Sequence, residues 1–109
     1  HPMAVVHLHG TSDGVLPYNG SSDWSSVQST LDYWINFNNT ITTPTVSNDN
    51  SGGMLIEHYV YDQGDSSVSV EHYKFIGGDH VWFSNTYQGQ DASELVWNFV
   101  SRYDINGLR

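Results

Sequence analysis

Met3-Ala4-Val5-Val6-His7-Leu8-His9-Gly10-Thr11-Ser12-Asp13-Gly14-Val15-Leu16-Pro17-Tyr18 opens with an alternating, Val-rich run and then breaks into turn residues. The alternation from Met3 to His9 predicts a buried or half-buried strand. Gly10 and the polar turn Thr11-Ser12-Asp13-Gly14 end it, and Pro17 followed by Tyr18-Asn19-Gly20-Ser21 reads as loop. A later segment has the same layout. The apolar run Val68 to Ile76 passes into Gly77-Gly78-Asp79-His80-Val81-Trp82. Each segment sets a titratable side chain on a loop just beyond a strand, a carboxylate first and an imidazole afterwards.

Between and after these segments the pattern supplies further elements. Val27, Leu31, Trp34 and Ile35 recur at helical spacing, which predicts an amphipathic helix from about Ser25 to Asn38. Thr40 to Gly53 is polar, carries Pro and Gly, has no periodicity and is expected to be a connector. Leu55 to Asp62 and Val68 to Ile76, joined by Gln63-Gly64-Asp65-Ser66-Ser67, predict an antiparallel hairpin. With residues 63 and 67 flanking the turn, His58 and His72 would face each other across it. Asp91-Ala92-Ser93-Glu94 has the form of a capping box opening a second helix. Leu95, Val96, Phe99, Val100 and Tyr103 would form that helix's buried face, with Gly107 as a stop signal. Trp34 and Trp97 are expected to be packing residues of the two helices.

At 109 residues the chain holds one domain at most and can bury a modest core. Aromatic residues make up 14% of it, which is not a disordered composition. The formal net charge of −9, with no Lys or Arg before Lys74, argues against a nucleic-acid partner, which needs a basic footprint. Anionic membrane surfaces are excluded on the same ground. No apolar run approaches the roughly 20 residues that cross a bilayer. The first residues lack the basic start of a signal peptide, and a chain that opens almost directly in a strand is expected to be a domain cut internally. Cysteine is absent, so neither a disulfide framework nor a thiolate metal site can form. His7 and His9 share a strand face and, like His58 and His72, raise the question of a metal. They are read as packing or backbone-bonding groups, and neither a metal nor a cofactor is expected.

The two motifs, in this order, resemble the C-terminal portion of secreted α/β-hydrolase esterases of the polyhydroxybutyrate depolymerase and feruloyl esterase type. The resemblance covers nearly the whole chain. It rests on His9-Gly10-Thr11-x-Asp13-x-x-Leu16-Pro17-Tyr18-Asn19-Gly20, on Tyr33-Trp34-x-x-Phe37-Asn38, and on Val70-Glu71-His72-Tyr73-Lys74. The histidine loop and Leu95-Val96-Trp97-Asn98-Phe99 complete it. It implies an α/β fold class: a single partial α/β-hydrolase domain spanning 1–109, built as strand, helix, β-hairpin and helix, without the N-terminal half that bears the nucleophile elbow. It implies Asp13 as triad acid and His80 as triad base, both at the carboxyl edge of one sheet, and a secreted or periplasmic location. This chain departs from the family in carrying Asp79 where a third glycine is usual and Phe83 where proline commonly follows the tryptophan. The cysteines that many members carry near Asn38 and Gln63 are not present.

Ester hydrolysis needs an activated hydroxyl, a base near pKa 6.5 to take its proton, and donors for the developing oxyanion. A carboxylate on the other imidazole nitrogen fixes the tautomer and stabilises the imidazolium. A nucleophile elbow needs Gly-x-Ser-x-Gly between a strand and a helix, and the chain is expected to lack that pentapeptide. Ser12, Ser21 and Ser22 lie near the acid loop without that turn. The chain is therefore expected to supply acid and histidine to an ester substrate bound with a missing N-terminal half, and to be inactive alone. Trp82 and Tyr18 are the candidate substrate-binding aromatics. The alternatives are a non-catalytic binding or assembly module, forming homo-oligomers through an exposed sheet edge, and an acidic domain that binds sugars or polymer surfaces through exposed Trp and Tyr.

Overall fold

The computed structural model describes residues 1–50, 52–104 and 106–109. In chain order these form β1 (Val5–Gly10), α1 (Val27–Asn38), β2 (Thr45–Asp49), β3 (Ile56–Tyr61), β4 (Val70–Phe75), α2 (Ala92–Val100), β5 (Tyr103–Asp104) and β6 (Gly107–Leu108). The first four strands make one sheet in the order β1-β4-β3-β2, and β5 pairs with β6 in a separate two-stranded sheet. Only β1 and β4 are parallel; β4 with β3 and β3 with β2 are antiparallel.

This arrangement corrects the expected fold class. The sheet is mixed, more residues lie in strands than in the two short helices, and the C-terminal tail adds a second sheet. The architecture is not clearly that of an α/β-hydrolase C-terminal part. Two local elements also differ from expectation. The supposed connector Thr40–Gly53 contains β2, whose polar Thr45-Val46-Ser47-Asn48-Asp49 is specified by pairing with β3 rather than by its own pattern. Gly107 does not stop α2, which ends at Val100 with Ser101 as its C-cap; it sits in β6 at φ 102°, packed closely against the Ser66 backbone.

The helices form for local reasons. Ser26 caps α1 by accepting the Ser29 N–H at 3.0 Å, and the helix ends on left-handed Asn39. Asp91 and Glu94 make a reciprocal capping box at the start of α2. Each helix covers one sheet face, because strand side chains alternate. Val27, Leu31 and Ile35 of α1 pack with Tyr61 and Val70, backed by Val5 and Tyr59. Leu95 of α2 packs on the opposite face with Ile56, Tyr73, Phe75, Phe83 and Tyr87, backed by Val6 and Leu8. Only Ala92, Leu95 and Phe99 of α2 are buried; Val100 and Trp97 point away at 44% and 66% exposure, against expectation. A nine-residue helix offers the sheet one narrow stripe, and residues 97 and 100 lie off it.

The hairpin register also differs from the expected one. Tyr61 pairs with Val70, which places Tyr59 opposite His72 and His58 opposite Tyr73. The connection holds a short 3-10 turn over Asp65–Ser67, with Ser66 and Ser67 at positive φ. The pairing is thereby offset by one residue from the symmetric closure. Such a slip sends side chains to opposite faces. His58 therefore faces α2, where Glu71 holds it at 2.7 Å, while His72 faces α1.

Candidate functional site

β1 and β4 run side by side in parallel, so their carboxyl ends bring the acid loop and the histidine loop to the same sheet edge. The loops are joined backbone to backbone. Thr11 N–H donates to the Phe75 carbonyl at 3.0 Å and Ser12 N–H to the Gly78 carbonyl at 2.8 Å. The Gly77 N–H donates to the Thr11 hydroxyl at 2.7 Å. Gly10 allows the approach, since a Cβ there would lie 2.2 Å from the Gly78 carbonyl oxygen. A side chain at residue 10 would push the loops apart.

The result is a contact between residues 67 positions apart: His80 Nδ1 lies 2.9 Å from Asp13 Oδ2. Asp13 Oδ1 meanwhile accepts the backbone N–H groups of Val15 at 2.8 Å and Leu16 at 2.7 Å. The carboxylate, nearly buried, is thus held on both oxygens. Burial alone would raise its pKa, but the Leu16 N–H, His80 and the Val15 N–H outweigh that and hold it down to about 2. An ionised carboxylate can only accept, so Nδ1 of His80 carries the proton of this contact, and Nε2 is the ring nitrogen turned away from Asp13. The imidazole is about half exposed and borders an open cavity of about 460 Å³, lined also by Leu16, Asp79, Val81 and Trp82.

A second group of histidines runs under this site. His9 Nε2 lies 2.7 Å from the Leu16 carbonyl and 3.3 Å from Asp13 Oδ2. Both partners are acceptors, so Nε2 is protonated and Nδ1 is left to accept from His7 Nε2 at 3.2 Å. His72 Nδ1 donates to the His7 carbonyl at 2.8 Å, and its Nε2 accepts the Tyr18 hydroxyl at 2.8 Å. Burial lowers the pKa of His7, aided by its neighbour His9. Burial also pushes His72 down to about 4; the bond to the His7 carbonyl opposes this, and His7, His9 and Lys74 reinforce it. Burial thus favours the neutral form of His7 and His72, and all three rings are hydrogen-bonded packing groups. Among the described residues no group of three or more His, Cys, Asp or Glu side chains is placed to hold a metal ion.

The structure therefore brings Asp13, His80 and Trp82 to one cavity and leaves Tyr18 outside it. Trp82 stands at the rim, 68% exposed. Tyr18 spends its hydroxyl on His72 and packs beside the α1 core, with Lys74 Nζ 5.2 Å from its ring centroid. Sequence reasoning missed the roles of Thr11 and Asp79, although both lie inside the two motifs. An acceptor side chain next to a glycine-rich turn was the available signal.

The residues Gly10-Thr11-Ser12-Asp13-Gly14 do spell Gly-x-Ser-x-Gly, which corrects the expectation that the chain lacks that pentapeptide. The structure assigns it another use. β1 ends at Gly10, a turn and loop follow, and α1 starts only at Val27. No strand-to-helix elbow is built around Ser12, and the fourth residue of the pattern is Asp13, whose carboxylate contacts His80.

No helix among the described residues is long and apolar enough to cross a membrane. No family model, curated protein or solved structure matches the chain.

Proposed function

We propose that Asp13 and His80 are the acid and base of a serine carboxylic-ester hydrolase of the polyester depolymerase or feruloyl/acetyl esterase type. The nucleophilic serine and the oxyanion donors would come from polypeptide outside these 109 residues. The observation that carries the reading is the 2.9 Å contact between His80 Nδ1 and a carboxylate already anchored by two backbone N–H groups. That anchoring leaves Nε2 as the free basic atom beside an open cavity bordered by Trp82.

The chemistry follows from the proton positions. Nε2 of His80 takes the proton of a serine hydroxyl as its oxygen bonds to the ester carbonyl carbon. Asp13 stabilises the imidazolium without itself becoming protonated. Nε2–H then passes its proton to the departing alkoxide as the C–O bond breaks. A water molecule repeats the sequence in reverse, releasing the acid and the serine. Trp82 offers an exposed apolar surface for the ester's organic groups.

The test joins this chain to the N-terminal half of an esterase of the resembled type and follows p-nitrophenyl butyrate. The isolated chain should be inert and the hybrid active. His80→Ala should lower turnover by about 10⁶-fold, the cost of removing a triad histidine. Ser12→Ala should leave it unchanged. A well-folded hybrid that stays inert, or turnover that survives His80→Ala, overturns the reading.

One observation favours a second reading, a non-catalytic assembly module. The order β1-β4-β3-β2 leaves the outer side of β1 without a partner strand among the described residues. An unpaired edge invites a second copy. Sedimentation at high concentration distinguishes the two: dimers that form equally well in Asp13→Ala, together with inert hybrids, support this reading, and a strict monomer removes it.

A further inference from the structure

We propose that Asp79 is a positioning residue that clamps the acid loop to the histidine loop and so holds His80 in register with Asp13. The inference rests on the assignment of Asp13 and His80 as a functional pair, and it adds a residue to that pair. Asp79 Oδ1 accepts two backbone N–H groups, from His80 at 2.7 Å and from Gly14 at 3.2 Å. One donor is the base's own amide, and the other is the residue immediately after the acid. A single oxygen atom thus connects the two main chains where the reacting side chains leave them.

The remaining ties between the loops lie further back, at Thr11–Phe75, Ser12–Gly78 and Thr11–Gly77. Without Asp79, residues 79–82 would extend from the last of these ties held by the His80–Asp13 contact itself and, among the described residues' backbone bonds, by one from Val81 N–H to the Asp79 carbonyl at 3.1 Å. The His80 ring is about half exposed and has little packing of its own to fix it. A glycine at position 79 could supply no side-chain acceptor. The clamp is therefore a property of the carboxylate that this chain carries there. What it needs chemically is an acceptor oxygen at that position rather than a negative charge.

The test is proton NMR of the intact chain, following the downfield resonance of His80 Nδ1–H bonded to Asp13, with an amide spectrum as the check on folding. The wild type should show the resonance. Asp79→Asn retains an acceptor oxygen and should keep it. Asp79→Ala should lose it to solvent exchange while the rest of the spectrum stays dispersed. Asp79→Leu, which fills the space but cannot accept, should behave like Asp79→Ala. Persistence of the resonance in Asp79→Ala overturns the proposal. So does its loss in Asp79→Asn, since charge and not acceptance would then be the cause. Unfolding of both the Ala and Leu variants would make Asp79 a structural residue and would also overturn it. No ester turnover enters this readout, so an inert hybrid in the preceding assay leaves it standing. In an active hybrid, Asp79→Ala should lower kcat with KM unchanged.

Discussion

Acidification should destabilise the fold chiefly through one ring, that of His72. It is 1% exposed and is surrounded by Tyr18 from the loop before α1, Tyr59 and Glu57 on β3, Lys74 on β4, and His7 and His9 on β1. Burial lowers its pKa from 6.5 to about 4 in the folded protein. The unfolded chain therefore binds the proton more tightly, and stability is full above the unfolded value. It is lost as the pH falls from 6.5 towards 4, and the loss levels off below that. The linkage relation gives about 1.5 kcal/mol lost by pH 5.5 and about 3 kcal/mol by pH 4. His7, also lowered, adds to the same slope. Asp13 and Glu71 have depressed carboxyl values, so their contributions fade as the pH falls through the ordinary carboxylate range towards those depressed values, below the pH of the assay. The assay is urea unfolding at about pH 7.5 and about pH 5.5 at fixed ionic strength, stopping short of the isoelectric region near 4.6. His72→Gln supplies an amide that can donate to the His7 carbonyl and accept from Tyr18 without titrating. It should flatten the dependence by about 1.5 kcal/mol. A wild type whose stability is the same at both pH values, or a His72→Gln variant with an undiminished slope, would refute the reasoning.

Three further outcomes are expected. Asn38, wholly buried, accepts the Met3 N–H at 2.8 Å and donates to the Met3 carbonyl at 2.7 Å; Asn38→Ala should cost about 2–3 kcal/mol in urea unfolding, because it strands a backbone pair. Gly10→Ala should cost about 3 kcal/mol and erase the His80 Nδ1–H resonance, since its Cβ would meet the Gly78 backbone; a variant with wild-type stability and spectrum would show that the loop approach is not required. Phe75→Ala removes a wholly buried ring stacked on Phe83 at 3.9 Å between centroids, and should lower stability by about 4 kcal/mol as measured by the urea midpoint.

Elements that can be read from neighbours a few residues away were legible in the chain. The β1 run, the α1 stripe, the Asp91–Glu94 capping box and the existence of the hairpin all depend on spacing and local hydrogen bonds. The pairing of a carboxylate loop with an imidazole loop was inferable as an expectation, because each motif follows its own strand. What depended on distant contacts was not legible. β2 has a polar sequence that only β3 makes into a strand, and the tail sheet is formed by residues with no strand pattern. The hairpin register turned on positive φ at Ser66 and Ser67, and one residue of offset moved His58 and His72 to different faces. The positions of Trp97 and Tyr18 followed from which stripe and which ring happened to face them. Periodicity and capping act within one turn or one pleat, so the amino-acid order could specify them alone. Strand order, register and the meeting of Asp13 with His80 require segments far apart in the chain to come together, and only the folded sheet brings them there.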